Sequence, residues 1–481
     1  MSYEKFIKDV VIIGFTQILM NVTSFVLLPV ITKTLGVYDY GIWSQLSVTV
    51  SLLTILSLLA LSLAFVRFFS SKTDKKEISK GFFSIFFFIV LLSLVIVSIL
   101  IVFSKSISLF LFKTSIYSTL IQITSFLIVL HALYTIVLFY FRIYRQMLVY
   151  SGLILFATVG QMALTIFMLV FLGYGIYGIV FSALFSYFVP LVIALGIIIK
   201  QVGFSLPSFS DMSKYLLFSL PLAPNSLMYW ITDASDRYIV GFFLGTVSVG
   251  VYSAAYGIGN LVYLFVWPLQ MILFPQLSKL YDNGEMGEVK TYISYSLKFF
   301  LLISVPSVVG LTVLAEQILV LLTTIDFIKG STVIPLIALS ALFAGIYQII
   351  MNITIICKKT KYNFWIQVFS ALSNIALNII LIPLIGIIGA AIATLFSFII
   401  MSIMIHIISK KYLRFKIDIV FILKIILSSI LMGLIVFLLK EQISLLLQVL
   451  IGIVTYFVFC YVFKIFNKQE ISFFKNIINR S

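Results

Sequence analysis

The chain has 481 residues, of which 62% are hydrophobic and only 10% are charged. A soluble protein of this length would carry roughly a quarter charged residues, whereas here the mean hydropathy is +1.22. The composition excludes a soluble protein. Because no long polar segment interrupts the apolar ones, it also excludes most classes of enzyme.

Long apolar runs divide the chain into predicted membrane helices. A helix needs roughly 20 apolar residues to cross a hydrocarbon core of ~30 Å. The sequence therefore predicts an all-α polytopic membrane protein with about fourteen transmembrane helices. They lie near 9–33, 40–68, 81–103, 116–140, 148–172, 175–199, 215–243, 249–278, 291–314, 332–357, 362–383, 386–409, 418–439 and 443–466.

Basic residues are distributed unevenly among the predicted loops. With a cytoplasmic N-terminus, 26 of the 32 Lys and Arg residues fall on the cytoplasmic side. Short loops rich in Lys and Arg stay in the cytoplasm, so we expect a multi-pass protein of the cell membrane with both termini cytoplasmic. Charges scattered over short loops favour contact with membrane lipids and argue against a nucleic-acid partner.

Two pairs of matched segments indicate an internal duplication. Residues 35–44 (LGVYDYGIWS) align without gaps on 244–253 (LGTVSVGVYS), an offset of 209. Residues 175–187 align on 386–398, an offset of 211. Nearly equal offsets predict two six-helix copies. Each copy holds an even number of crossings, so we expect a parallel repeat about a pseudo-twofold axis along the membrane normal.

The duplication sets the predicted domain boundaries. We assign helices one to six to an N-terminal lobe and helices seven to twelve to a C-terminal lobe. A charged segment that contains Ser and Pro joins them as a cytoplasmic linker. Two appended helices and a cytoplasmic tail follow the repeat; the ranges are 1–200, 201–214, 215–411 and 412–481.

Charged residues at membrane depth cluster in the seventh predicted helix. Asp233, Asp236 and Arg237 stand at positions i, i+3 and i+4 and share one face. Such charges cost ~2.5–3.5 kcal/mol each on insertion scales and usually face the protein interior or a water-filled cavity. One interpretation is a structural ion pair between Asp233 and Arg237. That pair leaves Asp236 over, which favours a functional role: Arg237 for phosphate through its planar fork, and the carboxylates for proton or sodium coupling.

Two arginines and two asparagines are further candidates for substrate binding. Arg67 and Arg142 stand near the cytoplasmic ends of the second and fourth predicted helices. They either reach lipid headgroups or line an inward-facing vestibule. Asn374 and Asn378 belong to a polar stripe on the eleventh predicted helix. The stripe either makes hydrogen bonds between helices or forms the wall of a hydrophilic cavity.

Other kinds of site find little support in the sequence. Cys357 and Cys460 lie in different predicted helices, so no disulfide scaffold is expected. His131 and His406 have no clustered Cys or carboxylate partners, so we expect no metal site and no cofactor. A P-loop is absent, which excludes transport powered by ATP on this chain.

Several segments resemble one family of exporters. SLPLAP (219–224), Asp236-Arg237 and LGTVSVGVYSAAY (244–256) resemble the middle of its members. LAFVRFF (63–69) and NIALNIILIPLIGIIGAAIAT (374–394) resemble the end of its second helix and its second-lobe signature. The family is that of the Wzx-type polysaccharide flippases, within the multidrug/oligosaccharidyl-lipid/polysaccharide exporter superfamily.

The resemblance implies a transporter and not an enzyme. It implies that a polyprenyl-diphosphate-linked oligosaccharide moves from the cytoplasmic to the outer leaflet, with the lipid tail in the bilayer. Arg237 would contact phosphate or acidic sugar, and Arg67 and Arg142 are weaker candidates for that role. A cation-coupled multidrug exporter and a lipid II-type flippase of the same superfamily are the alternatives. An enzyme of glycan assembly would need a large outer loop, which the sequence lacks.

Overall fold

The computed structural model describes residues 3–440 and 442–465. Its regular elements over these ranges are all helical. The predicted all-α class is therefore confirmed. The end of the predicted cytoplasmic tail, including Lys468, Lys475 and Arg480, lies outside the described residues.

The chain forms two compact units, of which the first comprises Met1–Ser253 and Leu322–Asp326. The helices that begin in it are α1 (Tyr3–Leu58), α2 (Leu61–Phe69), α3 (Lys75–Val102), α4 (Ser104–Phe112), α5 (Ser118–Ile143), α6 (Met147–Ile166), α7 (Gly175–Val202), α8 (Met212–Ser219), α9 (Ala223–Ala234), α10 (Asp236–Leu244) and α11 (Thr246–Gly259). A π-helical turn, Phe167–Phe171, extends α6.

The second unit comprises Ala254–Leu321 and Phe327–Ser481. Its helices after α11 are α12 (Val266–Asp282), α13 (Met286–Val313), α14 (Ala315–Leu322), α15 (Val333–Ile356), α16 (Lys361–Ile385), α17 (Ile387–Lys410), α18 (Ile419–Leu438) and α19 (Leu445–Val462). Short 3-10 segments, Asn260–Phe265 and Ile325–Thr332, precede α12 and α15. The lobes assigned from the repeat are a different division and stay a prediction.

Twelve helical stretches in the described part of the chain are long and apolar enough to cross a membrane. Two features separate this number from the predicted fourteen. The stretch Ile12–Leu58 has 47 residues and covers most of the first two predicted helices, with non-helical Gly36 between them. The seventh predicted helix is broken into α8, α9 and α10, each too short to count. The chain is a multi-span membrane protein, and the number fourteen stays a prediction.

Each unit has its own core. In the first unit, Phe65, Phe82 and Tyr140 have almost no exposed surface and their rings pack on one another. In the second unit, small residues let helices approach closely: a Cβ on Gly389 would lie 2.5 Å from the carbonyl oxygen of Leu381. Membrane helices associate through such close packing because lipid supplies little hydrophobic drive between them.

The predicted topology is testable at an exposed loop. Ser115 is exposed between α4 and α5, on the side that the loop charges place outside the cell. In a Cys357→Ser/Cys460→Ser background, Ser115→Cys should react with an impermeant maleimide on intact cells. The matched control is Asn283→Cys, exposed after α12, which should react only after permeabilisation. The reverse labelling order would contradict the orientation.

Candidate functional site

The two copies of the first repeat segment pack directly on each other within the first unit. A Cβ on Gly41 would lie 2.1 Å from the carbonyl oxygen of Thr246, and a Cβ on Gly250 would lie 2.2 Å from the carbonyl oxygen of Val37. The two contacts are symmetric, because Val37 and Thr246, like Gly41 and Gly250, are 209 positions apart. Only glycine fits at either position, so the helices touch main chain to main chain. We call this contact the repeat crossing.

Further pairs of equivalent residues extend this symmetry. The hydroxyl groups of Ser44 and Ser253, again 209 positions apart, form a hydrogen bond of 2.6 Å. Gly36 has φ 74° and ψ −179°, and its equivalent Gly245 has φ 82° and ψ 174°. These positive φ angles suit glycine. Both copies thus begin their helix with the same backbone break.

The seventh predicted helix is interrupted before its charged cluster and again within it. Leu220–Leu222 separate α8 from α9, where Pro221 cannot donate a main-chain hydrogen bond. Ser235 then separates α9 from α10, and the amide of Tyr238 donates to its carbonyl oxygen at 3.1 Å. This i to i+3 bond is of the 3-10 type. Ser235 itself keeps α-helical dihedral angles (φ −67°, ψ −23°). The break is thus a local tightening of the helix, and the shared face of the charged residues stays a prediction.

Asp236, Arg237 and Tyr252 form a buried polar cluster beside the repeat crossing. Nη1 of Arg237 lies 2.9 Å from Oδ1 of Asp236, and the Tyr252 hydroxyl donates to Oδ2 of Asp236. The Arg237 guanidinium lies 5.7 Å from the centre of the Tyr252 ring. Asp236 has no exposed surface and Arg237 is 8% exposed. The two charges thus neutralise each other, because either one alone would be costly in an apolar interior.

The spacing of the charges suggested Asp233 as the ionic partner of Arg237. The structure pairs Arg237 with Asp236, and the guanidinium also donates to the main-chain carbonyl of Asp233. Side chains of a helix lean towards its N-terminus, which brings the long Arg237 side chain back over the preceding turn. Asp236, the carboxylate that seemed left over in the sequence, is thus a member of the ion pair.

Two further contacts fasten the broken helix to α1. The indole nitrogen of Trp230 donates to the hydroxyl of Ser51 at 2.9 Å. The hydroxyls of Tyr238 and Thr49 lie 2.6 Å apart. Sequence reasoning missed these residues and Tyr252. Tyr252 stands inside the repeat segment, so the alignment could have drawn attention to it. No sequence pattern indicates a pair such as Trp230 and Ser51.

The other arginines proposed for substrate contact are exposed in the first unit. Arg67 stands in the last turn of α2 and Arg142 in the last turn of α5, and both side chains are exposed. The Arg142 guanidinium lies 5.7 Å from the centre of the Phe139 ring. Neither is drawn into the buried cluster around Asp236. Their exposure fits both a headgroup contact and a vestibule, and the substrate role stays a prediction.

Asn374 and Asn378 of α16 are fully buried in the second unit. The Asn378 amide donates to Oδ1 of Asn374 at 2.9 Å. Nδ2 of Asn374 and Oδ1 of Asn378 have no hydrogen-bond partner in the part of the chain that the structure describes. Such orphaned groups cost about 1–3 kcal/mol each. In this conformation both side chains are buried and do not face an open cavity. Their predicted substrate role is untested.

An apolar groove marks the second unit where α13, α18 and α19 meet. Its volume is about 590 Å3, and its lining includes Phe265, Pro306, Gly310, Met432 and Tyr456. The Tyr456 hydroxyl is occupied, because it donates to the carbonyl oxygen of Leu302 at 2.7 Å. The groove is therefore suited to a hydrocarbon chain.

No group of three His, Cys, Asp or Glu residues that could hold a metal ion occurs among the residues that the structure describes. Cys357 and Cys460 are free thiols.

Comparison with known proteins identifies the family. The family model described as "Polysaccharide biosynthesis protein" matches residues 6–281, more than half of the chain. The chain belongs to the polysaccharide biosynthesis protein family. A second model, MatE, matches residues 221–380. These matches confirm the family resemblance seen in the sequence.

Individual relatives agree with this assignment. The chain is 26% identical over 219 residues to the "Probable low-salt glycan biosynthesis flippase Agl15" of Haloferax volcanii, an alignment that covers 45% of this chain and 46% of the relative. It is 32% identical over 164 residues to the "Probable flippase AglR" of the same organism, with 34% of each chain covered. The chain thus matches less than half the length of either relative.

The fold is shared with a solved flippase over almost its whole length. The structure superposes on a lipid II flippase MurJ in an inward closed conformation with a TM-score of 0.80 and 24% identity, covering 95% of this chain and 98% of MurJ. At 24% identity, this superposition establishes the fold alone.

The glycine contact at the repeat crossing is testable by stability. Gly41→Ala should lower the free energy of unfolding by about 1–3 kcal/mol, because its methyl group meets a carbonyl oxygen that cannot move aside. Gly257→Ala in α11 is the matched control: it points into open space and should be neutral or stabilising by about 0.5–1 kcal/mol. The measurement is the thermal unfolding midpoint in one detergent. Equal midpoints for the two variants would show that the crossing is not close-packed.

Proposed function

We propose that this chain is a flippase that moves a polyprenyl-diphosphate-linked oligosaccharide from the cytoplasmic to the outer leaflet of the cell membrane by alternating access. It is a transporter and not an enzyme. The family and the flippases among the relatives support the class of activity. The observation that carries the proposal is the repeat crossing, where two copies of one segment meet by symmetry through Gly41 and Gly250.

The repeat crossing would act as the closed outer side of the transporter. The breaks at Gly36 and Gly245 lie at the predicted outer ends of their helices, so the contact between Gly41 and Gly250 blocks the path outward. At Gly41 and Gly250 the contact is made by main chain, and the hydroxyls of Ser44 and Ser253 add a hydrogen bond. This contact can part and reform with little repacking, as alternating access requires.

Arg237 is the proposed partner of the diphosphate or of an acidic sugar. A guanidinium offers a planar fork of donors that fits phosphate. In this outer-closed conformation that fork is held by Asp236, so substrate must compete with the carboxylate. Exposed Arg67 and Arg142 are proposed to meet the substrate first, on the cytoplasmic side, while Asn374 and Asn378 are proposed as later contacts.

The apolar groove of the second unit is the proposed seat of the lipid tail. Its walls come largely from the two appended helices α18 and α19 and from α13. A polyprenyl chain is apolar throughout, so it needs no polar partner when it is buried in an apolar groove.

Asp236 is the proposed coupling group, with Asp233 as its neighbour across the Ser235 break. When substrate phosphate takes the guanidinium, the Asp236 carboxylate loses its ionic partner within an apolar interior. An isolated buried carboxylate is expensive, so it would take up a proton or a sodium ion. Substrate and ion movement would thereby be linked through one side chain.

A cation-coupled multidrug exporter is the second candidate, and one observation favours it. The MatE match over residues 221–380 includes Asp233, Asp236 and Arg237. An exporter of organic cations would depend on the carboxylates and not on the arginine. A lipid II-type flippase shares the anionic diphosphate chemistry and differs in the glycan.

Substitution of Arg237 separates these functions. Arg237→Ala should reduce surface glycan at least about tenfold, because one charge-assisted hydrogen bond contributes about 1.5–3 kcal/mol. Arg237→Lys, which keeps the charge and loses the fork, should retain part of the export. Drug efflux would show the reverse ranking, with Asp236→Asn inactive and Arg237→Ala active. The measurement is surface glycan per folded transporter.

Removing Arg237 alone strands the Asp236 carboxylate, which can cost about 3–5 kcal/mol. The neutral pair Asp236→Asn/Arg237→Gln avoids the stranded charge and serves as the folding control. Normal surface glycan from that well-expressed double variant would end the anionic-substrate role of Arg237.

A disulfide across the repeat crossing tests alternating access. The Ser44 and Ser253 hydroxyls are 2.6 Å apart, so Ser44→Cys/Ser253→Cys should oxidise readily in a background without Cys357 and Cys460. Oxidation should trap the outer-closed state and stop glycan export, and a reductant should restore it. Ser44→Cys alone controls for the substitution. Undiminished export with the cross-link confirmed by mass would refute the role of the crossing as an outer closure.

A further inference from the structure

A basic groove lies where α13 begins, within the second unit. It has a volume of about 660 Å3 and is lined by residues of α13 from Gly287 to Lys298 and by segment 414–418. The hydroxyl of Ser294 donates to the main-chain oxygen of Lys416 at 3.1 Å. This bond holds the segment against the helix, so the two walls have a defined separation.

Four cations and one carboxylate line this groove. Both oxygens of the carboxylate already have partners. Oδ2 of Asp418 lies 2.9 Å from Nζ of Lys298, and Oδ1 accepts a hydrogen bond of 3.0 Å from the amide of Phe421 at the start of α18. The Phe421 amide, and then Lys298, hold the pKa of the Asp418 carboxyl below its usual value. Asp418 therefore stays ionised at neutral pH, and its ion-pair partner is Lys298.

The other three cations have no such balance. Lys290, Arg414 and Lys416 are exposed, and no ion pair joins them to a carboxylate within 3–440 and 442–465. They converge on one concavity with the hydroxyls of Thr291 and Ser294. A guanidinium and two ammonium groups around a hollow form a binding site for phosphate oxygens.

Apolar side chains begin directly beside these charges. Ile417, Ile419 and Val420 are 43%, 66% and 62% exposed, and α18 continues as a membrane-crossing stretch. Exposed apolar residues on such a helix face acyl chains. The groove therefore lies at the level where the headgroup region meets the hydrocarbon, on the side that the loop charges assign to the cytoplasm.

We propose that this groove binds the headgroup of an anionic glycerophospholipid of the bilayer. Arg414 holds the phosphate through its fork, Lys290 and Lys416 neutralise it from the two walls, and the acyl chains lie along the exposed face of α18. The bound lipid fastens the start of the appended helices to α13. The proposal does not depend on the transported substrate.

Lipid binding to charge-matched variants tests this site. Lys290→Gln/Arg414→Gln/Lys416→Gln keeps the Lys298–Asp418 pair and removes the three unbalanced charges. Its affinity for phosphatidylglycerol should fall roughly a hundredfold, since each cation near an anionic surface contributes about a factor of five. The measurement is titration of the detergent-solubilised full chain with fluorescent phosphatidylglycerol, with phosphatidylcholine of the same acyl chains as reference.

The control variant is Lys358→Gln/Lys359→Gln/Lys361→Gln, which removes three exposed charges from the turn after α15 and the first residue of α16. It should bind phosphatidylglycerol within about twofold of the unaltered chain. Equal weakening of both variants would reduce the effect to general charge attraction and overturn the site. Unfolding midpoints measured without lipid show whether each variant is folded.

Two competition arms identify the occupant. Displacement of phosphatidylglycerol by millimolar inorganic diphosphate would mark a soluble-phosphate site and overturn the phospholipid assignment. Tighter binding of undecaprenyl diphosphate than of phosphatidylglycerol, lost in the groove variant, would make the groove a substrate site and also overturn it. Neither result bears on glycan export by Arg237 variants, so the two proposals fail independently.

Discussion

The contact between Gly41 and Gly250 brings two main chains together where any side chain would hold them apart. In a membrane, helices gain little from apolar burial, so close packing and hydrogen bonds decide which ones associate. The repeat crossing has both: glycine on each side and the hydroxyl pair of Ser44 and Ser253. The matched breaks at Gly36 and Gly245 direct the two helices into this contact.

The buried pair of Asp236 and Arg237 is connected to the repeat crossing through Tyr252. Tyr252 lies in the repeat segment, two residues after Gly250, and its hydroxyl donates to Asp236. Arg237 supplies the opposite charge, so an otherwise costly carboxylate is balanced beside the crossing. A change in the protonation or pairing of Asp236 would therefore alter the contact between the two repeat copies. This physical link underlies the proposed coupling of ion and substrate.

The appended helices α18 and α19 bring a different chemistry to the second unit. They contribute to an apolar groove with α13, and the segment before α18 closes a basic groove. Asp418 serves both the helix start and the ion pair with Lys298. Both grooves suit lipid, one the hydrocarbon part and the other the phosphate. These two helices, which the sequence predicts to lie outside the repeat, thus add surfaces suited to lipid.

Composition and hydropathy determined the all-helical membrane class. In a bilayer only helices and closed barrels satisfy the backbone, and apolar runs of roughly 20 residues fit a helix and are about twice as long as a barrel strand. The gapless alignment of 35–44 on 244–253 identified the repeat, and Asp236-Arg237 marked the polar cluster. The sequence predicted neither the break at Ser235 nor the choice of Asp236 as ion-pair partner. It also left open whether Asn374 and Asn378 are buried. The tertiary structure decided these points, because the partner of a side chain depends on the rotation and separation of packed helices, which local spacing does not determine.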